Sequence, residues 1–86
     1  MGSTLEFPWR HDGYELIRVV IARDLRDESR ALLVAFRALR QATTLDEVRA
    51  EAGGIAHAKG VRLTWTTEPD AADPVGHRIT IGVARA

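Results

Sequence analysis

Residues 14–22 read YELIRVVIA, and no other stretch constrains the fold as tightly. In an extended chain side chains alternate between faces, so Ile17, Val19 and Ile21 share one face. Tyr14, Leu16 and Val20 add apolar groups to the other, interrupted by Arg18. A strand that is apolar on both faces is normally covered on both, whereas one layer of helices covers one. The segment therefore predicts a sheet with helices on one side and an apolar patch of Tyr14, Leu16 and Val20 on the other. The simplest cover for that patch is a second copy, since a twofold contact uses the same surface twice.

The flanking residues extend this strand into a hairpin. TLEFPW precedes it as another strand, and Asp12-Gly13 between them supplies the positive backbone angles of a tight turn. Pro8 assigns the first strand to an edge, because proline cannot donate to ladders on both sides. The chain then changes period. In DLRDESRALLVAFRALRQ, Asp24 is the expected N-cap, and Leu25, Leu32, Phe36 and Leu39 form a helical stripe roughly 60° wide with Leu33 at its margin. Arg26, Arg30, Arg37 and Arg40 gather into a second stripe beside it. Arginine stems commonly cover the edge of an apolar stripe while their heads stay wet, so this row reads either as a solvated flank or as a binding surface.

A second helix follows in TTLDEVRAEAGGIAHAKG. Thr44 and Glu47 have capping-box spacing, Leu45, Val48, Ala52 and Ile55 form the apolar stripe, and Gly60 is the expected stop. Gly53-Gly54 costs about 2 kcal/mol against two alanines, which predicts a close contact at the pair or a break in the helix. Lys59 sits at the helix end, where a cation is favourable against the dipole. The chain closes with two more strands. Val61, Leu63 and Trp65 alternate on the first and Ile79, Ile81 and Val83 on the second, with polar opposite faces. The stretch EPDAADPVG between them reads as a long acidic loop. The order ββααββ fits an α+β, two-layer sandwich: a mainly antiparallel four-stranded sheet with two helices on one face.

An 86-residue chain is expected to form a single domain, residues 1–86, with 1–3 a disordered tail or cloning remnant. Hydrophobic residues are 45% and charged residues 28%, too apolar for disorder. Cysteine is absent, so neither disulfides nor thiolate-bound zinc stabilise so small a core, and self-association is the simplest reinforcement. Formal net charge is zero, which disfavours a dedicated nucleic-acid binder. Eleven of the twelve basic residues are arginine and alanine is abundant, as in a GC-rich, bacterial coding sequence. The N-terminus has no signal-peptide pattern, and a cytoplasmic location is the default expectation.

Little in the sequence points to chemistry. Ser29 and Ser3 lack the turn context of an activated nucleophile. His11, His57 and His77 never occur at metal-ligand spacing, so neither a metal nor a cofactor is expected. His11 and His77 would meet only if the two hairpins place those ends together. Glu6 and Glu15 are candidates for proximity across the first hairpin. The helix–helix–strand–strand order after a strand resembles the KH arrangement in outline, but the junction RQATT lacks that module's GXXG loop.

The expected function is a small non-catalytic protein-interaction or regulatory module. It would act as a homodimer through Tyr14, Leu16 and Val20, or as an adaptor, inhibitor or immunity-type protein docking on a larger partner through Arg30, Arg37, Arg40 and a Trp9 anchor. The alternative is a nucleic-acid contact through Arg26, Arg30, Arg37 and Arg40. A third reading is a ligand or catalytic site at a dimer interface using His11 and His77.

Overall fold

The computed structural model describes residues 3–70 and 73–86. Strands β1 (Ser3–His11) and β2 (Tyr14–Ile21) are followed by helices α1 (Ser29–Arg37) and α2 (Leu45–Lys59), then by strands β3 (Val61–Asp70) and β4 (Asp73–Arg85). Both hairpins are antiparallel, and β2 and β4 join them as a central parallel pair, giving the order β1-β2-β4-β3. The architecture is the expected α+β sandwich, with a mixed rather than uniformly antiparallel sheet. The central positions go to the strands that carry the fully buried residues. Ile17, Val19 and Ile21 of β2 lie against Ile79, Ile81 and Val83 of β4 in register, all at most 1% exposed. Pro8 sits on edge strand β1, as its missing N–H requires. Ser3 opens β1 opposite Ile21 and belongs to the sheet.

Leu25, Leu32, Phe36 and Leu39 from the first helical region and Val48 and Ala52 from α2 close the core over the sheet. Burial of each large side chain contributes roughly 1.5–3 kcal/mol. The hairpin tip is tied to the helices by two polar bonds. Trp9 Nε1 donates to the Ala42 carbonyl at 2.7 Å. Asp12, in a two-residue turn with φ of 53° beside Gly13 at 83°, accepts from the Leu45 backbone N–H at 2.7 Å. The first N–H groups of a helix have no intrahelical partner, so Asp12 caps α2 from a distant part of the chain.

Several expectations are corrected. The first helix does not start at Asp24. Arg23–Leu25 is a 3₁₀ turn without a side-chain cap, and α1 begins at Ser29. Arg85 holds Asp24 elsewhere, with Nε 3.5 Å from its carboxylate and Nη2 donating to its carbonyl at 2.8 Å. Beyond Arg37 the chain tightens into 3₁₀ geometry over Ala38–Gln41, a usual way to end a helix. In α2, the Glu47 N–H donates to Thr44 Oγ1 as expected, while the Glu47 carboxylate accepts from the Thr43 N–H, one residue outside the ordinary capping box. Gly60 ends the helix with φ of 66°.

Gly53 and Gly54 neither break α2 nor sit against a neighbour. The helix runs through them, and a Cβ at either would meet nothing within 4 Å. The expected long loop is also mostly strand, since β3 runs to Asp70 and β4 starts at Asp73. The side chains of Asp70 and Asp73, two of its three acids, lie outside the description, whereas Glu68 faces Arg78 at 3.4 Å.

Candidate functional site

The four arginines expected in one helical row occupy three kinds of backbone. Arg26 lies in the turn before α1, Arg30 and Arg37 in α1, and Arg40 in the following 3₁₀ segment. All four are exposed. Among the described residues none has a carboxylate within 4 Å; the ion pairs formed there join Arg10–Glu15, Arg18–Glu6, Arg78–Glu68, and Arg85 with Asp24 and Glu28. Glu6 and Glu15 are thus each held by an arginine and do not form a carboxylate pair.

Trp9, expected as an exposed anchor, is 2% exposed and belongs to the core. It sits on the same face of β1 as buried Phe7, and its one hydrogen-bonding group is satisfied inside by Ala42. That is the usual condition for a buried tryptophan. Tyr14 is likewise displaced from the face shared by Leu16 and Val20. The β2–β4 register slips between Tyr14 and Leu16, and such a bulge re-aims the side chain beyond it. Tyr14 packs against the core, with its ring 6.5 Å from Trp9 and 6.0 Å from His77.

Leu16 and Val20 lie on the helix-free face, both half-buried. Successive rows across that face place Leu16 between Pro8 and Arg78, and Val20 between Thr4 and Gly82. The row between them is Glu6, Arg18, Thr80 and Thr66. The two apolar residues are therefore separated by a polar band and do not form one patch. Among the described residues Arg78 Nε and Thr80 Oγ1 on this face are screened from solvent and make no hydrogen bond, although Nε lies 3.4 Å from the Glu68 carboxylate.

The hairpins do bring His11 and His77 to one end of the sheet, where Tyr14 pairs with both strands. Both imidazoles are exposed, and the aromatic chain runs His11–Trp9–Tyr14–His77. Among the described residues no three metal-ligating side chains cluster. A cavity of about 300 Å³ lies at the opposite end, between the start of α1 and the end of α2, with Leu25, Leu32 and Val61 at its walls and Glu28, Lys59 and Arg85 among its charged groups. No helix is long and apolar enough to cross a membrane, among the described residues.

A margin of the core lies along the β3 edge. Val61, Leu63 and Trp65 face the helices, yet all three are only half-buried at the margin of the core. The Arg49 guanidinium of α2 lies 5.5 Å from the Trp65 ring centre, a cation–π distance. Arg62, Thr64, Thr66 and Glu68 alternate with them and are exposed. The β3–β4 pairing runs without interruption from Val61 to Pro69, and the outer side of β3 has no strand beside it among the described residues. The alternation of Val61, Leu63 and Trp65 points these residues to one face and does not reveal this edge. Its signal was present in the regular alternation of VRLTWTTE, but which strand lies outermost is a property of the sheet order. Comparison with known proteins gives no match: no family model, no curated protein and no solved structure matches the chain.

Proposed function

We propose that the chain is a small, non-catalytic protein-interaction module that works by self-association. One observation carries the reading: the apolar core is left open along a free strand edge. Inward-facing residues of β2 and β4 are at most 1% exposed, whereas Val61, Leu63 and Trp65 of β3 are only partly buried, beside backbone that has no further strand next to it among the described residues. Exposed regular edges are ready templates for another chain. A domain of this size gains stability readily from association. Light scattering across roughly 5–200 µM is the direct test, in the range where modest protein affinities are read. Twice the 9.5 kDa chain mass is expected. Monomer throughout would refute self-association and leave a different partner protein or a nucleic acid.

A second reading keeps the arginine surface as a nucleic-acid contact. It is supported by the exposure of Arg26, Arg30, Arg37 and Arg40 and by their lack of carboxylate partners among the described residues. Four phosphate contacts predict a log–log salt slope of about −3 to −4. Anisotropy of a labelled oligonucleotide, with and without Arg30, Arg37 and Arg40 changed to Gln, decides it. No binding at about 50 mM salt would end this reading.

A further inference from the structure

We infer that two copies of the chain join edge to edge through β3, antiparallel and centred on Trp65, to form one continuous eight-stranded sheet. This inference rests on the self-association reading and supplies its surface and register. A twofold axis perpendicular to a sheet requires one residue to lie opposite itself, so each register is defined by its central residue. With Trp65 at the centre, Arg62 lies opposite Glu68 of the partner subunit, and Glu68 opposite Arg62 of the partner subunit. Thr64 faces Thr66 of the partner subunit. Both charges and both threonines lie on the helix-free face, because they alternate with inward-facing Leu63 and Trp65.

Four features favour this register. It stays within the uninterrupted ladder, pairing Arg62–Glu68 with its symmetry copy and leaving Pro69, which lacks an N–H, only at the outer end opposite Val61. It gives Arg62, which has no carboxylate within 4 Å among the described residues, an opposite charge. Glu68 would then lie between Arg78 of its own chain and Arg62 of the partner subunit. On the helix side, the two Trp65 rings would meet and bury the apolar margin now left open. Moving the centre to Thr66 sets Glu68 opposite Thr64 and pushes Arg62 against Asp70, past the irregularity at Pro69/Asp70. Moving it to Thr64 carries Glu68 beyond the end of the strand, opposite Gly60. Directly opposed unlike charges stabilise strand pairs and like charges destabilise them.

The test uses Arg62→Glu and Glu68→Arg chains, alone and mixed, with mass measured by sedimentation. Each variant alone places two like-charge pairs across its own twofold axis. Each should dimerise about tenfold or more weakly than the wild-type chain. In an equimolar mixture, the carboxylate introduced by Arg62→Glu faces the guanidinium introduced by Glu68→Arg, and the untouched Glu68 faces the untouched Arg62. The heterodimer should therefore form with wild-type strength. The clash of the introduced guanidinium with Arg78 within one chain is present in monomer and heterodimer alike. Should either charge variant fold poorly, Thr64→Cys and Thr66→Cys chains provide the second measurement, since no native cysteine competes. Mixed and mildly oxidised, they should give a covalent heterodimer well in excess of either chain alone.

A wild-type monomer would overturn both the inference and the self-association reading. A wild-type dimer that ignores the charge changes, shows no rescue on mixing and dissociates with Leu16→Asp or Val20→Asp would overturn this edge and leave self-association standing.

Discussion

The two edges of the sheet are built on different principles. β1 is closed by its own chain: Phe7 and Trp9 are buried, Trp9 is bonded to Ala42, and the pairing with β2 slips between Pro8 and His11. Its charged residues are already matched, Glu6 by Arg18 and Arg10 by Glu15. Proline and irregular pairing are standard ways of blunting an edge. β3 has neither over Val61–Glu68, and its inward side chains Val61, Leu63 and Trp65 are only partly buried. In register terms β1 could also oppose itself about Pro8, with Glu6 against Arg10. That arrangement would place a residue without an N–H at its centre and compete with two existing ion pairs. Opposed charges in a sequence therefore favour pairing only where the backbone beside them is free.

The largest expected effect separates the two tryptophans. Trp9→Ala removes a buried ring and its bond to Ala42, and should lower stability by about 3–5 kcal/mol. For a domain near the lower end of ordinary stability, that approaches unfolding. Trp65→Ala removes a ring that is only partly buried, and should cost the monomer less, about 1–2 kcal/mol, in proportion to its smaller burial. Its larger effect should be on association. Urea denaturation combined with mass measurement checks both. A Trp65→Ala chain that remains dimeric would remove the functional difference between the edges.

Much of the fold was legible because hydrophobic period changes where the backbone does. The alternation of Ile17, Val19 and Ile21, the stripe of Leu32, Phe36 and Leu39, the Asp12-Gly13 turn and the Thr44 cap all rest on interactions between residues near one another in sequence. What was not legible depends on distant partners. Asp24 pairs with Arg85 and does not cap, Asp12 adds a cap to α2 from the hairpin, and the register slip beside β4 turns Tyr14 inward. The candidate site was less legible still. Arg62 and Glu68 stand symmetrically about Trp65 in the sequence, but that symmetry has consequences only once β3 is known to be an edge.

The α2 glycines offer a way to sharpen the comparison. Because nothing lies within 4 Å of a Cβ at either site, Gly53→Ala and Gly54→Ala should each stabilise the chain by about 0.5–1 kcal/mol. Dimer affinity should stay unchanged for Gly54→Ala, since Gly54 borders the groove toward Ala35 and Ala38, whereas Gly53 follows Arg49 by one turn on the side that meets Trp65. Tighter folding with weaker association in Gly54→Ala would instead assign the interface to the face beside the groove that Gly54 lines together with Ala35 and Ala38.

The Asp12 cap tests whether β1 is held by local chemistry alone. Its carboxylate is exposed and bonded to one N–H, so Asp12→Asn, which keeps an acceptor and tolerates positive φ, should cost a few tenths of a kcal/mol. Asp12→Ala also loses the acceptor and should cost about 1 kcal/mol. Neither change should alter the mass.

The smallest effect is expected at Pro8, in the strand argued to be closed. Pro8→Thr restores a backbone donor and replaces a poor strand former by a β-branched one. Stability should change by no more than about 0.5 kcal/mol, because residue 8 is exposed. The informative measurement is mass against concentration. If proline is what keeps the second edge quiet, the variant should build assemblies larger than a dimer at high concentration, through two open edges instead of one. If mass stays at the wild-type value, the buried Trp9, the slipped pairing and the internal ion pairs suffice to close β1, and Pro8 merely occupies a position where its missing N–H is harmless.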